Sequence, residues 1–73
     1  MRFSQFILDS IHEWMRDNQG QRYGQFMFNR LYDTRRDIAD AIRGTICDPF
    51  YANDNNDIRV HRFWAAVEQY WND

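Results

Sequence analysis

Hydrophobic positions recur at helical spacing in four segments of the chain. The spacing predicts helices over residues 3–17, 21–32, 35–43 and 58–71. Turn-forming residues separate these segments, and no internal repeat or low-complexity tract is present. We therefore expect an all-α fold, a small bundle of about four helices that forms one domain over residues 1–73.

The second segment is apolar around most of its circumference. One side carries four apolar residues: Tyr23, Phe26, Met27 and Leu31. Phe28 and Tyr32 lie nearly opposite when each residue advances by about 100°. A helix with so narrow a polar side is typical of a buried position, so we expect the second helix to be central and the third to be a short connector. The polar wedge holds Arg22, Gln25, Asn29 and Asp33. The first three would either tether the loop over residues 45–51, which we favour, or face a partner.

Gly24 interrupts the second helix, although glycine in a helix costs about 1 kcal/mol relative to alanine. This cost predicts that another helix, or the loop around Pro49, approaches the backbone closely at Gly24.

The first and fourth segments are amphipathic. The apolar stripe of the first contains Phe3, Phe6, Ile7, Ile11, Trp14 and Met15, widened by Leu8. The stripe of the fourth contains Val60, Phe63, Trp64, Val67, Tyr70 and Trp71. Thirteen aromatic residues are many for so small a core, so we expect some of these rings to lie at the surface.

Capping residues predict where the third and fourth helices begin. Thr34 is a good N-cap for the third helix, and Asp37 follows three residues later, near a capping-box arrangement. Gly44 predicts the end of that helix, and Asn56 or Asp57 is expected to cap the fourth. We expect three residues to form the apolar edge of the third helix: Ile38, Ala41 and Ile42.

The longest connection covers residues 45–56. Asp48-Pro49 predicts a turn, because Asp accepts from nearby backbone N–H groups and Pro fixes its own φ. Phe50 and Tyr51 are large and apolar, so we expect them to pin the loop to the core. The predicted structural residues of the loop are Thr45, Asp48, Pro49, Phe50 and Tyr51.

Composition narrows the class of protein. A chain with 44% hydrophobic and 18% aromatic residues is not a disordered polar chain. No apolar run approaches the ~18 residues of a membrane span, and we expect no signal peptide. One cysteine, Cys47, excludes an intramolecular disulfide. We expect a cytoplasmic protein without membrane association.

Candidate catalytic and metal-binding patterns are weak. Cys47 and His61 would be a nucleophile and a base, but Cys47 follows a helix C-terminus, where the dipole disfavours a thiolate. The acidic stretch from Asp48 lacks the glycine and glutamate of a calcium-binding EF-hand loop. We therefore expect no enzyme, no catalytic residues, no metal and no cofactor.

All nine basic residues are arginine, and the net charge is −2. Four of them suggest an alternative function, a nucleic-acid-associated regulator with a helix-turn-helix-like segment: Arg30, Arg35, Arg36 and Arg43. Asp33, Asp37 and Asp40 lie among them and would repel phosphate. We expect ion pairs such as Arg36 with Asp40 instead, and we do not expect nucleic-acid binding.

Two stretches carry a resemblance: Gln21-Arg22-x-Gly24-Gln25-x-x-x-Asn29-x-Leu31-Tyr32, and Arg43-Gly44-Thr45-x-x-Asp48-Pro49-Phe50-Tyr51. Over about residues 18–71 the chain resembles small helical proteins of phages and bacteria that close with an aromatic helix. The resemblance implies a small phage-borne or accessory protein, and no activity or catalytic residue comes with it. Arg36 departs from the pattern, in which proline often follows the position of Arg35.

The aromatic surplus and the near-neutral charge favour a protein-interaction module that binds and modulates a larger host protein, such as a defence or regulatory factor. A homodimer through the first or fourth helix is a compatible use of the same surface. We expect the partner contacts at Trp14, Arg59, Arg62, Trp64, Tyr70 and Trp71.

Overall fold

Four helices and no strand make up residues 1–71, the part of the chain that the computed structural model describes. They are α1 (Phe3–Arg16), α2 (Tyr23–Thr34), α3 (Arg36–Ile42) and α4 (Ile58–Trp71). The predicted all-α bundle of four helices is confirmed, and each predicted boundary lies within two residues of the observed one. None of these helices has the length and apolar character that crossing a membrane requires.

Each helix packs mainly against two neighbours. α1 and α3 both lie between α2 and α4. α2 contributes the largest buried set of the four helices: Tyr23, Gly24, Phe26, Met27, Phe28 and Leu31. This burial agrees with its narrow polar side.

α3 is a part of the core, not only a connector, and its predicted N-cap, Thr34, is wrong. The backbone N–H of Arg35 donates to Leu31 O at 2.7 Å, so α2 continues through Thr34 and Thr34 does not cap α3. The Arg35 carbonyl accepts the first bonds of α3, and its guanidinium pairs with Asp37. Ile38 and Ile42 are buried as predicted, but Ala41 is exposed and Ala39 is buried in its place.

α1 and α4 pack through aromatic rings. The Phe6 ring stacks on Trp71 with centroids 5.0 Å apart and meets Trp64 edge-on at 6.0 Å. Trp71 is only 4% exposed, and its indole N–H donates to Met1 O at 2.9 Å. The expectation that Trp71 contacts a partner at the surface is therefore corrected, because this ring closes the core between the two helices.

Six of the thirteen aromatic residues are buried: Phe6, Tyr23, Phe26, Phe28, Phe63 and Trp71. Only Tyr51 and Tyr70 are exposed, at 70% and 52%. Five rings are half-buried: Phe3, Trp14, Tyr32, Phe50 and Trp64. Arginines cover several rings, as with Arg30 over Phe6, and such contacts are favourable because the ring face is electronegative. The expected aromatic surplus at the surface is therefore confirmed for two residues only.

Asp57, one of the two residues predicted to cap the fourth helix, caps α4. Its carboxylate accepts the backbone N–H of Arg59 at 2.8 Å and two N–H groups of the Arg59 guanidinium. These bonds favour the charged carboxylate, so the hydrogen bonds from the Arg59 side chain and backbone lower the pKa of Asp57 to about 2.

We expect an NMR titration of the Asp57 carboxyl group to give a pKa near 2, against an ordinary 3.8. A carboxyl whose pKa is depressed on folding stabilises the fold above its unfolded pKa, and this stabilisation is lost as pH falls through the folded pKa. Thermal stability should therefore fall between about pH 4 and pH 2, and fall less in Asp57→Asn. A pKa near the ordinary value would show that the Arg59 contact is not formed in solution.

Candidate interaction surface

The loop between α3 and α4 closes onto α2 at Gly24. The Gly24 N–H donates to Ala52 O at 2.9 Å, outside the helical pattern, and Ala52 N–H donates to Pro49 O at 2.8 Å. A side-chain Cβ at Gly24 would lie 1.8 Å from Pro49 O. The close approach that the sequence predicted at this glycine is confirmed.

Pro49 and Ala52, with Phe50 packed beside them, hold this loop to the core. Pro49 and Ala52 are buried, whereas Phe50 is half-buried and Tyr51 is 70% exposed. The expectation that both Phe50 and Tyr51 pin the loop is wrong for Tyr51. The backbone approaches α2 so closely at Gly24 that it is Pro49 and Ala52 that face the helix, and Tyr51 is left pointing outward.

Side-chain hydrogen bonds fix the shape of the loop before it reaches α2. Thr45 Oγ1 donates to Ile42 O at 2.6 Å, and the Asp48 carboxylate accepts the backbone N–H groups of Gly44 and Phe50 at 2.8 and 3.0 Å. Gly44 has a φ of 77°, which glycine adopts without strain. The predicted structural roles of Thr45, Asp48 and Pro49 agree with these contacts.

The closed loop and α2 form an open cleft, here named the Tyr51 cleft. It has a volume of about 450 Å³. Its lining consists of Phe28, Asn29, Tyr32, Arg43, Asp48, Phe50 and Tyr51. Four of these seven residues are aromatic, and Phe28 and Phe50 meet edge-on with centroids 6.3 Å apart. A preformed apolar cleft with a few polar groups is the usual form of a binding site.

Arg22 lies beside this cleft and orders its outer wall. Its Nε–H donates to Phe50 O at 3.3 Å, and its guanidinium carbon lies 5.4 and 5.2 Å from the ring centroids of Phe50 and Tyr51. The predicted tether from the polar wedge of α2 to the loop is thus confirmed for Arg22. Gln25 acts locally, since its side chain accepts the Arg22 N–H, and Asn29 donates to Gln21.

Arg43 forms part of the opposite wall. Its guanidinium carbon lies 5.6 Å from the centroids of both Phe28 and Tyr32, and it pairs with Asp40 at 2.9 Å. Arg36 lies 5.0 Å from the Tyr32 centroid and reaches the same Asp40 carboxylate at 3.9 Å. One carboxylate therefore serves two guanidinium groups on this side.

The residues that sequence reasoning assigned to partner contacts do not share one surface. Trp14 packs edge-on against Tyr23 and Phe26, at centroid distances of 5.1 and 5.4 Å. Trp64 packs beside Phe3 and Phe6, away from those rings.

On α4 the predicted contacts differ in accessibility. Arg59 is paired with Asp57 at the start of the helix, and Tyr70 is exposed near its end. Arg62 is exposed beside a shallow depression of about 270 Å³ that Cys47 and Ala66 help to line. Arg62 and Tyr70 are therefore the members of the predicted set that remain open.

The four arginines of the nucleic-acid alternative all contact other groups of this chain. Arg30 donates to Ser10 Oγ at 3.2 Å. Arg35 forms two hydrogen bonds to Asp37, each 3.0 Å long, and its guanidinium carbon lies 5.1 Å from the Trp71 centroid. Arg36 and Arg43 share Asp40 as described, so the predicted Arg36–Asp40 pair is present. The side chains of Arg36 and Arg43 are exposed beside these contacts, at 70% and 51%.

A second apolar surface lies on α1. Leu8 and Met15 are exposed on α1, seven residues apart, with half-buried Ile11 between them, and Met1, also exposed, precedes the helix. Seven-residue spacing places side chains on one seam of a helix. Sequence reasoning had placed Met15 and Leu8 on the core-facing stripe, and the missed signal was this spacing.

Within residues 1–71, no three His, Cys, Asp or Glu side chains converge in an arrangement that would hold a metal ion. Cys47 is a half-buried thiol. The cleft and the α1 seam are thus the surfaces that suggest a function.

Comparison with known proteins adds no relative. No model of a protein family matches the chain, no curated protein matches it, and no solved structure matches it. The case for function therefore rests on the geometry of these surfaces.

Proposed function

We propose that this chain is a protein-interaction module without enzymatic activity, which binds a larger protein through the Tyr51 cleft and modulates that protein's activity. The observation that supports the proposal is the exposed Tyr51 at an open cleft lined by aromatic rings and framed by arginine. Tyrosine, tryptophan and arginine dominate the binding energy of protein interfaces.

The setting that we propose for this function is the one implied by the sequence motifs at residues 21–32 and 43–51. In that setting the chain is a phage-encoded or accessory protein that acts in the host cytoplasm and inhibits a defence or regulatory factor. Covering a functional surface of a larger protein is a mode of action that needs no catalytic group of its own.

A comparison of Tyr51→Ala with Tyr70→Ala tests the proposal. Both tyrosines are exposed, but only Tyr51 lines the cleft. With a partner purified from the native host and reconstituted from pure components, we expect Tyr51→Ala to weaken binding about thirtyfold, as for an interface hot spot. Tyr70→Ala should bind like the wild type.

The opposite ranking of these two variants would move the interface to α4, where Arg62 and Tyr70 remain open. Equal binding by wild type and both variants would contradict the proposal for both surfaces. Melting curves of each variant serve as the control for folding, since neither exposed ring contributes much to stability.

The α1 seam supports self-association of the chain, which is compatible with binding of a partner at the Tyr51 cleft. Two copies of α1 would bury Leu8, Ile11 and Met15 against each other, as in a short coiled coil. A dimer would add stability to a chain whose own core is small.

We expect light scattering across a wide concentration range to show a dimer of the wild type, and Leu8→Glu to shift it to a monomer with unchanged helicity. The charge would lie on the seam, where its burial is costly. Glu68→Gln on α4 is a control that alters an exposed charge elsewhere. A wild type that stays monomeric at every concentration would exclude the seam as a self-association surface.

The alternative function, a nucleic-acid-associated regulator, has a direct test in salt dependence. Binding through phosphate contacts weakens steeply as salt rises. We expect no appreciable binding of duplex DNA at physiological salt. Sub-micromolar, salt-sensitive binding that Arg35 and Arg36 substitutions abolish would favour the alternative.

A further inference from the structure

The charge around the Tyr51 cleft differs in sign from that of the whole chain. The chain carries a net charge of −2. Arg43 and Asp48 line the cleft, Arg22 and Arg36 contact its rings from beside it, and Asp40 pairs with Arg36 and Arg43, so these five groups carry three positive and two negative charges. The surroundings of the cleft are therefore net positive.

The two carboxylates are already occupied. Asp40 is shared by Arg36 and Arg43, at 3.9 and 2.9 Å. Both oxygens of Asp48 accept backbone N–H groups within the loop. Neither carboxylate pairs with Arg22, which forms no ion pair with any group in residues 1–71.

Arg22 also has hydrogen-bonding capacity to spare. A guanidinium group has five N–H donors in a rigid, planar arrangement. One of them, Nε–H, bonds to Phe50 O, and the other four bond to no atom of the described chain. The contacts with Phe50 and Tyr51 hold this group in place, so little side-chain entropy remains to be lost when it binds a ligand.

We propose that the Tyr51 cleft binds an acidic peptide segment of the partner protein. An apolar side chain of the segment occupies the space between Phe28, Tyr32 and Phe50, and a neighbouring Asp or Glu carboxylate accepts N–H groups of Arg22. Arginine suits this role because its N–H groups match the two oxygens of a carboxylate. The inference rests on the proposed function and specifies the chemistry of the partner.

An unbiased selection tests the inference. Peptides of random sequence, displayed on phage, are selected on the immobilised full chain, and the strongest binder is synthesised with its acidic residues intact or replaced by the matching amides. We expect Asp and Glu to be enriched beside an aromatic or aliphatic residue. The amide version should bind at least about tenfold more weakly, since a hydrogen bond to a charged group is among the strong ones.

Protein variants locate the contact. Arg22→Gln should weaken binding of the acidic peptide at least about tenfold and leave binding of the amide version unchanged. Arg62→Gln, which removes an exposed arginine on α4, should change neither. If Arg22→Gln loses its fold because the bond to Phe50 O is lost, Tyr51→Ala replaces it, and the same loss of peptide binding is expected.

Three results would overturn the inference. Selected peptides without acidic enrichment would do so, as would acidic peptides whose affinity does not depend on Arg22 or Tyr51. The third is displacement of the peptide by a short single-stranded oligonucleotide at sub-micromolar concentration, because arginine beside aromatic rings also suits stacked bases. Either of the first two results leaves the proposed function standing if Tyr51→Ala still weakens binding of the full partner protein.

Discussion

Gly24→Ala should destabilise the domain by about 3 kcal/mol or more, at the upper end of the cost of overpacking. The new Cβ would lie 1.8 Å from Pro49 O and 2.8 Å from the Pro49 carbonyl carbon. These are backbone atoms, so relief requires moving the loop and breaking the 2.9 Å bond from Gly24 N–H to Ala52 O. Denaturant unfolding followed by circular dichroism measures the loss.

The sign of the change in stability shows whether the loop closes on α2 at Gly24. In an open helix, Gly→Ala stabilises by about 1 kcal/mol. The double variant Gly24→Ala/Ala52→Gly is the matched control: it removes the 3.0 Å contact with the Ala52 side chain but leaves the Pro49 backbone in place. We expect no rescue. A Gly24→Ala protein as stable as the wild type would show that the loop does not close on α2.

Phe6→Ala should cost about 3–5 kcal/mol, the range for a buried phenylalanine. The ring is fully buried. It stacks on Trp71 and meets Trp64 edge-on where α1 packs against α4. A domain of this length has a total stability of roughly 4–11 kcal/mol. The variant is therefore expected to be marginally folded, as thermal and denaturant unfolding would show.

Phe50→Ala is the matched control for Phe6→Ala. Phe50 is half-buried, so its loss should cost about half as much, roughly 2 kcal/mol. Tyr51→Ala should change stability by less than about 0.5 kcal/mol, as for an exposed residue. A larger loss for Phe50→Ala than for Phe6→Ala would contradict the packing described for the two rings.

Local chemistry explains why much of the fold was predictable. The narrow polar side of α2 predicted its burial, and the cost of Gly24 within a helix predicted a close backbone neighbour. Asp48 and Asp57 act through bonds to nearby backbone groups, which depend on a few residues only. Features of this kind can be inferred from short stretches of sequence.

The errors share a physical cause, since each depends on where a neighbouring element lies. Tyr70 and Trp71 are about 100° apart on α4, and only the position of α1 decides that Trp71 is the buried one. Tyr51 points outward because the backbone at Pro49 already fills the space next to Gly24. The break at Arg35, which buries Ala39 in place of Ala41, likewise reflects the packing of α3 against α2 and α4.

The candidate site was predictable only in its parts. Arg22 was expected to tether the loop and does so, whereas Tyr51 was expected to pin the loop to the core and is exposed. The cleft that unites them with Tyr32 and Arg43 depends on how the loop returns to α2. Sequence patterns alone do not give the direction of that return.

Site-specific photo-crosslinking in the native host tests the central claim most directly. A photoreactive phenylalanine analogue replaces Tyr51 in one version of the protein and Tyr70 in another, both at exposed positions. If the partner binds at the Tyr51 cleft, position 51 should give one dominant protein adduct, and Arg22→Gln should reduce its yield. Position 70 should give no adduct of the same mass. The same adduct from position 70 alone, or no protein adduct from position 51, would contradict the claim that this cleft is where a partner binds.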